Sequence, residues 1–372
     1  MVYVLGCGMV GSAIAKDLAA YVPVCVADRD KHALDRVAST DNIRTVQEDL
    51  SSPKKVKKLI KDADLVIGAV PGFMGFETLK TVIEAGKNCV DISFFPEDPF
   101  DLDNLAKKKD VTVITDCGVA PGMSNMIIGH HNTEMDIESF ECLVGGLPAV
   151  RTLPFEYKAP FSPIDVLEEY TREARFMQNG EIVYKPALTD PEPVEFDGIG
   201  TLEAFNTDGL RTLLRTMNIP DMKEKTLRYP GHRQLMKHLR DMGLLSEEPV
   251  SLGKQQIKPI DLLTKLLFPL WKLEPDEEEF TVMRVTLRGS IEGKQKTVRY
   301  DLLDRYDAET GVSSMARTTG YACTSAAQLV INKSFDRKGV SPPEFVGADA
   351  AAFANVLAYQ KARGIIYVKT ES

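Results

Sequence analysis

The stretch Gly6-Cys7-Gly8-Met9-Val10-Gly11 has the form GxGxxG and directly follows a short apolar run, Val2–Leu5. It opens a helix-forming run, Val10–Ala20. In that setting the first glycine allows a tight turn, the second lets the backbone approach a pyrophosphate, and the third lets helix and strand pack closely. The stretch therefore predicts a dinucleotide-binding site that includes Gly6, Gly8, Met9, Val10 and Gly11.

An acidic residue ends the next apolar run, about 20 residues further on, where a carboxylate can accept both ribose hydroxyls of NAD. This residue is Asp28. Its negative charge would repel a 2′-phosphate, which predicts NAD as the cofactor and makes NADP the less favoured choice. Arg29 follows it directly and would tolerate such a phosphate, so the sequence leaves both cofactors open. Asp49 is a further candidate for cofactor binding.

Strand-like and helix-like runs alternate over the first third of the chain. This alternation, with strands that are apolar throughout, predicts an α/β fold: a Rossmann-type, doubly wound parallel sheet covered on both faces. The predicted strands are Val2–Leu5, Pro23–Ala27, Ile43–Val46, Leu65–Val70, Asn88–Ile92 and Val111–Thr115. The predicted helices are Val10–Ala20, Lys31–Ala38, Pro53–Ile60, Phe76–Ala85 and Leu102–Lys108.

Ligands of open α/β sheets bind outside the carboxyl ends of the strands. The residues that follow the fourth, fifth and sixth predicted strands are therefore expected to border the nicotinamide, although Pro71-Gly72 also fits an ordinary turn. The cofactor candidates at these positions are Val70, Pro71, Asp91, Ser93 and Gly118.

The pattern changes from about Ile137, where the strands become longer and more polar, as in Phe280–Gly289 and Thr297–Asp304. Asn179-Gly180 lies between two strand-like runs and predicts a type I′ hairpin. We therefore expect a second, α+β domain with a largely antiparallel mixed sheet. The tail is predicted as helices Met315–Asn332 and Ala348–Arg363 and a strand-like Gly364–Lys369. The predicted domains are 1–123 for the dinucleotide, 124–314 for the substrate, and a segment 315–372 that returns to the first.

Charge and cysteine usage exclude several classes of protein. The 372 residues carry 45 Lys+Arg against 54 Asp+Glu, a formal net charge of -9, so no nucleic-acid partner is expected. The six cysteines form no CxxC pair and lie mostly in apolar runs, which indicates reduced thiols, no metal site and a cytoplasmic location. The apolar N-terminus lacks a basic start and is broken by Gly6, Lys16 and Pro23, so neither a signal peptide nor a membrane span is expected.

Four longer motifs carry a resemblance over nearly the whole chain. They are Gly118-Val119-Ala120-Pro121-Gly122-Met123-Ser124-Asn125, Val144-Gly145-Gly146-Leu147-Pro148, Gly200-Thr201-Leu202-Glu203-Ala204-Phe205-Asn206-Thr207-Asp208-Gly209 and Lys225-Thr226-Leu227-Arg228-Tyr229-Pro230-Gly231-His232. With them the chain resembles the saccharopine dehydrogenase-like family, and within it the lysine 6-dehydrogenases. That branch implies NAD-dependent oxidative deamination of the ε-amine of L-lysine, which yields an aldehyde that cyclises, ammonia and NADH. The family also implies a homo-oligomer.

The departures from the family concern substrate size. Saccharopine reductases resemble this chain but carry Asp where it has Ala120 and, by rough alignment, Arg near Leu202. Saccharopine has two additional carboxylates, which need cationic partners when they are desolvated. A smaller amino acid such as lysine therefore fits better. The alternative is a saccharopine- or carboxynorspermidine-type reductase that acts on a secondary amine with NADP(H), and a protein that senses NAD without turnover is a third possibility.

Arg228 is the main substrate candidate, because a guanidinium pairs with an α-carboxylate and the resemblance places its counterpart in the substrate pocket. Thr226 and Tyr229 accompany it at uneven spacing, so one of the two is expected to point elsewhere. Glu203 could bind an α-ammonium group, as could Asp208, for which capping of the helical run Gly209–Thr216 is the simpler interpretation.

Two residues are candidates for catalysis. Asp116 ends the sixth predicted strand, where it could contact the amine or order a water; a turn residue before Gly118 is the equal alternative. His232 follows Pro230-Gly231 at a predicted helix start and could accept a proton. A structural histidine whose hydrogen bonds are satisfied is as good an interpretation.

Overall fold

The structure is a computed structural model that describes residues 1–274 and 277–372. It divides into two compact units. The first comprises 1–136, 291–294 and 315–367, and the second comprises 137–290, 295–314 and 368–372. No helix among the described residues is both long and apolar enough to cross a membrane. The predicted dinucleotide-binding domain ended at residue 123, whereas the first unit continues to residue 136.

The bounds of the regular elements are as follows. The strands are β1 Val2–Leu5, β2 Val24–Asp28, β3 Ile43–Gln47, β4 Leu65–Gly68, β5 Asn88–Asp91, β6 Thr112–Ile114, β7 Asp136–Pro148, β8 Ala174–Gln178, β9 Glu181–Lys185, β10 Glu192–Phe196, β11 Gly200–Asn206, β12 Asp221–Arg228, β13 Val250–Leu252, β14 Gln255–Ile257, β15 Glu279–Ile291, β16 Lys294–Arg305, β17 Gly339–Ser341 and β18 Tyr367–Glu371. The helices are α1 Met9–Ala19, α2 Lys31–Asp35, α3 Pro53–Leu59, α4 Gly72–Glu84, α5 Asp103–Lys108, α6 Met123–His131, α7 Pro163–Thr171, α8 Leu213–Thr216, α9 His232–Asp241, α10 Pro259–Trp271, α11 Ser314–Ile331, α12 Pro343–Ala348 and α13 Ala350–Lys361.

The first unit is built on a parallel sheet of seven strands in the order β17-β6-β5-β4-β1-β2-β3. Its central strands β1 and β4 are buried along their whole length, because helices cover both faces of a parallel sheet. The predicted α/β fold with a Rossmann-type parallel sheet is confirmed. The sequence predicted six strands; the seventh, β17, pairs with β6 and was missed because three residues carry too little pattern.

One carboxylate on the first helix of this unit binds side chains of α11 and α13 and of Arg363, near the end of the chain. Asp17 on α1 accepts hydrogen bonds from the hydroxyls of Thr324 on α11 (2.6 Å) and Tyr359 on α13 (2.8 Å). It also pairs with Arg363 Nε at 2.6 Å, and the Arg363 guanidinium lies 3.4 Å from the Tyr359 ring centroid. These side chains are mostly buried, so the contacts work in a medium of low dielectric constant.

The second unit contains a nine-stranded mixed sheet. Its main path runs β10-β11-β12-β7-β15-β16-β18, and the hairpin β8–β9 joins it through β12. β12 is antiparallel to β11 and parallel to β7. One apolar cluster packs Phe205, Tyr170 and Trp271 together, and another packs Leu202, Leu227 and Leu143. The predicted second domain with a mixed sheet is thus confirmed.

Several local predictions can be compared directly with the structure. β8 and β9 pair antiparallel around Asn179-Gly180, both with positive φ, as the predicted hairpin requires. The second predicted tail helix, Ala348–Arg363, corresponds to α13, which Asp349 caps by accepting from Ala351 N and Ala352 N, whereas the short helix α12 before it was not predicted. The helix predicted over 209–216 is only α8, and the capping interpretation of Asp208 is wrong: this carboxylate pairs with Arg175 (2.8 Å).

All six cysteines are free and buried. Burial raises the pKa of Cys7, in the glycine-rich stretch, to about 11, with the Asp28 charge as a second cause. Such thiols are poor nucleophiles at neutral pH, because the thiolate is the reactive form.

Replacing Asp17 should loosen the late helices of the first unit. Asp17→Ala leaves Arg363 without its carboxylate, and the loss of one partner of a mostly buried pair costs about 3 kcal/mol. We expect faster amide hydrogen exchange in α11 and α13 and a lower melting temperature. Asp62→Ala, at an exposed position of the same unit, is the control. Equal exchange in the two variants would contradict the anchoring role of Asp17.

Candidate functional site

The glycine-rich turn between β1 and α1 is shaped by two close approaches of backbone to backbone. Gly6 has φ +107°, and a Cβ there would collide with the carbonyl oxygen of Ala69. A Cβ at Gly11 would collide with the carbonyl oxygen of Gly6, whereas one at Gly8 would meet no heavy atom within 4 Å. A side chain therefore has no room at Gly6 or Gly11, whereas the space beside the Cα of Gly8 is open.

The start of α1 faces this open space. Among the described residues no side chain caps its first turn, and it carries no acidic residue there. Free N–H groups and the helix dipole attract a phosphate. The residues present thus fit a dinucleotide pyrophosphate, which Gly8, Met9 and Val10 would hold through their backbone.

Asp28 is fixed at the end of β2 by the turn itself. Its Oδ2 accepts from Cys7 N (2.7 Å) and its Oδ1 from Asp30 N (2.8 Å). These bonds hold the carboxylate beside the glycine-rich turn, as recognition of an adenosine ribose would require. Asp49 lies beyond the end of β3, is exposed, and has its pKa lowered by hydrogen bonds from Ser51.

A buried carboxylate fills the space between the carboxyl ends of β4 and β5. Asp91 Oδ1 accepts from Ser93 N (2.8 Å), and its Oδ2 from the Ser93 hydroxyl (3.3 Å). A Cβ at Gly68, on β4, would collide with Asp91 Oδ2, so this glycine makes room for the carboxylate. Val70 is buried next to this position, and Pro71 precedes α4 as its N-cap.

Asp116 and Gly118 form a tight turn after β6. Asp116 is buried and has φ +52°, which is rare for a residue with a side chain and is typical of strained functional turns. Gly118 N donates to the carbonyl oxygens of Asp116 and Pro121, both at 3.0 Å. Asp116 belongs to the first unit and the other predicted catalytic residue, His232, to the second.

In the second unit Arg228 is buried within a cluster of aromatic side chains. Its Nη2 pairs with Glu169 (2.8 Å), its Nη1 donates to Leu227 O (2.9 Å), and its Nε donates to the Tyr170 hydroxyl (3.1 Å). The guanidinium also lies 4.6 Å from the ring centroid of Tyr157. A substrate carboxylate at Arg228 would therefore have to compete with Glu169, and this role stays a prediction.

His232 begins α9, as predicted, and both of its ring nitrogens are engaged. Its Nδ1 lies 2.9 Å from the carbonyl oxygen of Phe155, which can only accept, so the proton is on Nδ1. Its Nε2 then accepts from the Tyr170 hydroxyl at 3.0 Å. The donors in this series are therefore fixed: Arg228 donates to Tyr170, Tyr170 donates to His232, and His232 donates to Phe155 O. A proton-accepting role toward a substrate would require the Tyr170 bond to open.

Burial sets the charge states in this cluster. It lowers the pKa of His232 to about 3, helped by the Arg228 charge, so the imidazole is neutral at physiological pH. Burial raises the pKa of Glu169, and the Arg228 charge opposes that shift. It also raises the pKa of Tyr157 and Tyr170, so both phenols stay protonated.

The other substrate candidates lie on β11 and around the end of β12. Glu203 is the register partner of Arg228 and pairs with Arg233 at 3.3 Å. The hydroxyl of Thr226 lies 2.9 Å from that of Thr207. Tyr229 is the residue that points elsewhere: its hydroxyl donates to Pro148 O (2.9 Å) and it packs in the other apolar cluster.

Four residues with notable surroundings escaped the sequence analysis. Tyr170, Glu169 and Trp271 surround Arg228 and His232, and the buried indole N–H of Trp271 has no acceptor within 1–274 and 277–372. Phe73, the second residue of α4, is 71% exposed at the carboxyl end of β4. Phe73 could have been found from the sequence, because Pro71-Gly72-Phe73 begins a helix directly after a strand. The surroundings of the other three residues depend on tertiary contacts.

Among the described residues no group of three or more His, Cys, Asp or Glu side chains could hold a metal ion.

Comparisons with known proteins cover nearly the whole chain. Residues 2–114 match a family model described as the saccharopine dehydrogenase NADP binding domain, and residues 118–365 match the saccharopine dehydrogenase C-terminal domain. The sequence is 22% identical to the mitochondrial alpha-aminoadipic semialdehyde synthase of Mus musculus over 98% of this chain and 47% of that protein. The chain thus spans about half the length of this relative.

A relative of comparable length is the saccharopine dehydrogenase [NADP(+), L-glutamate-forming] of Saccharomyces cerevisiae. It is 23% identical over 92% of this chain and 93% of its own. The solved structure of the apo saccharopine dehydrogenase (L-Glu forming) from Saccharomyces cerevisiae superposes with a TM-score of 0.80 and 21% identity, covering 100% of this chain and 99% of that one. At this identity the superposition shows a shared fold.

The stability of the second unit should depend on the neutral state of His232. Its folded pKa, about 3, lies below the ordinary histidine pKa of 6.5, so below pH 6.5 the unfolded chain binds a proton that the folded chain does not. This stabilising contribution is complete above pH 6.5 and is lost as the pH falls towards 3, by about 1.4 kcal/mol per pH unit. When the free energy of unfolding is measured with urea across this pH range, it should change less with pH for His232→Gln than for the wild type.

The matched control is His238→Gln, an exposed histidine on the same helix. It should keep the wild-type dependence on pH. A His232→Gln variant with the same slope as His238→Gln would contradict the assignment of a buried neutral imidazole.

Proposed function

This chain belongs to the saccharopine dehydrogenase family, a family of oxidoreductases, and on that premise we propose that it transfers a hydride between a nicotinamide dinucleotide and a nitrogen-bearing carbon of an amino-acid substrate. The observation that carries the proposal is the turn at Gly6–Gly11, open above Gly8 and uncapped at α1. When bound, the dinucleotide supplies the hydride acceptor or donor. The chain has to bind and orient both partners and manage a proton.

The first candidate substrate is a secondary amine of the saccharopine type, used with NADP(H). The family model that matches residues 2–114 is described as NADP binding. The yeast relative that bears the saccharopine name is covered by this chain over 93% of its length. Oxidation of such an amine removes a hydride from the carbon and a proton from nitrogen. Water then adds to the imine and releases a primary amine and an aldehyde.

The second candidate is the primary ε-amine of lysine, used with NAD as in a lysine 6-dehydrogenase. It is favoured by the arginines beside the substrate candidates, because Arg228, Arg175 and Arg233 each already pair with a carboxylate of the chain. Leu202 is fully buried in an apolar cluster, so its position cannot present a cation. Additional substrate carboxylates would need such cations.

In either reaction the amine has to be neutral before its carbon releases a hydride. For a lysine amine with a reference pKa of about 10.4, neutrality at pH 7 costs about 4.6 kcal/mol. Burial lowers this cost by disfavouring the ammonium form. Asp116, a buried carboxylate at the carboxyl end of the first sheet, is the proposed contact for the amine or for the water that attacks the imine.

Asp28 should determine how strongly the protein discriminates against the 2′-phosphate of NADP. Its carboxylate is held by Cys7 N and Asp30 N beside the glycine-rich turn, where a 2′-phosphate would meet its charge. Asp28→Ser should raise the ratio of kcat/KM for NADP to that for NAD by roughly tenfold, or about 1.4 kcal/mol. Asp41→Ser, exposed near β3, is the control. An unchanged ratio would show that Asp28 does not face the ribose.

The two candidates differ in the product that carries the nitrogen away from the oxidised carbon: a primary amine such as glutamate in the first, ammonia in the second. Lysine labelled with nitrogen-15 at the ε position and saccharopine are each offered with NAD and with NADP, while absorbance reports the reduced cofactor. Glutamate released from saccharopine supports the first candidate. Labelled ammonia released from lysine, with an unlabelled cyclic imine, supports the second. Reduction of neither cofactor by either substrate, in a protein that binds the dinucleotide, would refute the proposed amine chemistry.

A further inference from the structure

A polar cavity lies on the sheet of the second unit, with a volume of about 470 Å³. Three arginines and three threonines from β15, β16 and β18 line it, around a floor that includes Leu143 and Val194. These lining residues are Arg284, Arg288, Arg299, Thr286, Thr297 and Thr370. None of the residues assigned above to the cofactor or to the amine substrate belongs to the lining.

The guanidinium charge in this cavity is only partly compensated. Arg284 Nε pairs with Asp301 Oδ1 at 2.7 Å, and Arg299 pairs with the other oxygen of the same carboxylate. One carboxylate therefore serves two guanidinium groups. Arg288 is exposed and has no ion-pair partner within residues 1–274 and 277–372.

The three glutamates that line the cavity do not offset this surplus, because lysines already pair with them, and Ser372 adds only one terminal carboxylate to the lining. Glu141 pairs with Lys223 (2.6 Å) and Glu192 with Lys225 (2.6 Å).

Glu371 has two lysine partners, Lys296 and Lys369, each at 2.7 Å. Hydrogen bonds from both lower the pKa of this carboxyl to about 2. A chain of formal net charge -9 thus presents a local excess of positive charge here.

The hydroxyl groups supply short-range donors beside these charges. Those of Thr286, Thr297 and Thr370 have no hydrogen-bond partner in the part of the chain that the structure describes. Guanidinium and hydroxyl donors that converge on one cavity are typical of sites for carboxylate and phosphate oxygens. The volume lies within the range of small-molecule sites.

We propose that this cavity binds a small organic anion with at least two negative charges, of the dicarboxylate or phosphate-monoester class. One anionic group pairs with Arg288 and the second lies between Arg284 and Arg299, with the threonine hydroxyls donating to the remaining oxygens. Binding is electrostatic at a partly open surface, so it weakens as ionic strength rises.

Isothermal titration calorimetry on the full chain tests the proposal. The probes are succinate, citrate, inorganic phosphate and glycerol 3-phosphate, and acetate is the singly charged comparison. We expect at least one multiply charged probe to bind and acetate to bind at least tenfold more weakly. Arg288→Gln and Arg299→Gln should each weaken that binding at least tenfold. Arg305→Gln, an exposed arginine on β16 outside the lining, should leave it unchanged. The carboxylate and phosphate arms then distinguish the two sources of the anion.

Three outcomes would overturn the proposal. The first is that no multiply charged probe binds the wild type. The second is equal affinity for acetate, which would indicate unspecific charge screening. The third is a change in sedimentation mass on Arg288→Glu without anion binding to the wild type, which would make this surface a contact between copies of the chain. Unchanged melting temperatures of the variants show that the fold is intact, since Arg288 is exposed.

Discussion

The close packing of backbone against backbone at Gly6 is the constraint on which the first unit depends. The carbonyl oxygen of Ala69 occupies the space where a Cβ of Gly6 would lie, and the carbonyl oxygen of Gly6 does the same for Gly11. Only glycine allows β1, β4 and α1 to meet at this distance. Because the three elements converge there, the N–H groups of α1 are directed at the open space above Gly8, and the Asp28 carboxylate can reach Cys7 N.

The second unit depends instead on a buried charge. A guanidinium inside a protein is tolerated only when its donors are satisfied, and Arg228 meets this condition through Glu169, Tyr170 and the backbone of Leu227. The bond to Tyr170 fixes the direction in which its hydroxyl donates, which orients the ring of His232, while burial and the Arg228 charge keep that imidazole neutral. A different packing around Trp271 that separated Arg228 from Glu169 would leave a buried charge unpaired, which disfavours it.

Local features were predictable from the sequence, and non-local ones were not. The turn at Gly6, the hairpin at Asn179-Gly180 and the start of α9 at His232 follow from a few adjacent residues. The partners of Arg228 and His232 lie on α7 and in the loop before it, and their positions depend on tertiary packing. A guanidinium that looked free for a substrate therefore has an internal carboxylate partner, Glu169. Spacing along a strand predicts which side chains share a face but not which distant element packs on it.

The last third of the chain completes the sheet that the first residues begin. β17 pairs with β6, and Asp17 on α1 binds the helices on either side of β17, although residues 137–290 and 295–314 of the second unit lie between them in the sequence. A ribosome therefore releases β1 to β6 long before their final neighbour exists. During synthesis the edge of β6 has to remain unpaired and shielded from other strands until β17 emerges. A chain cut short before residue 339 keeps this edge exposed, and we expect it to aggregate rather than accumulate as a stable fragment.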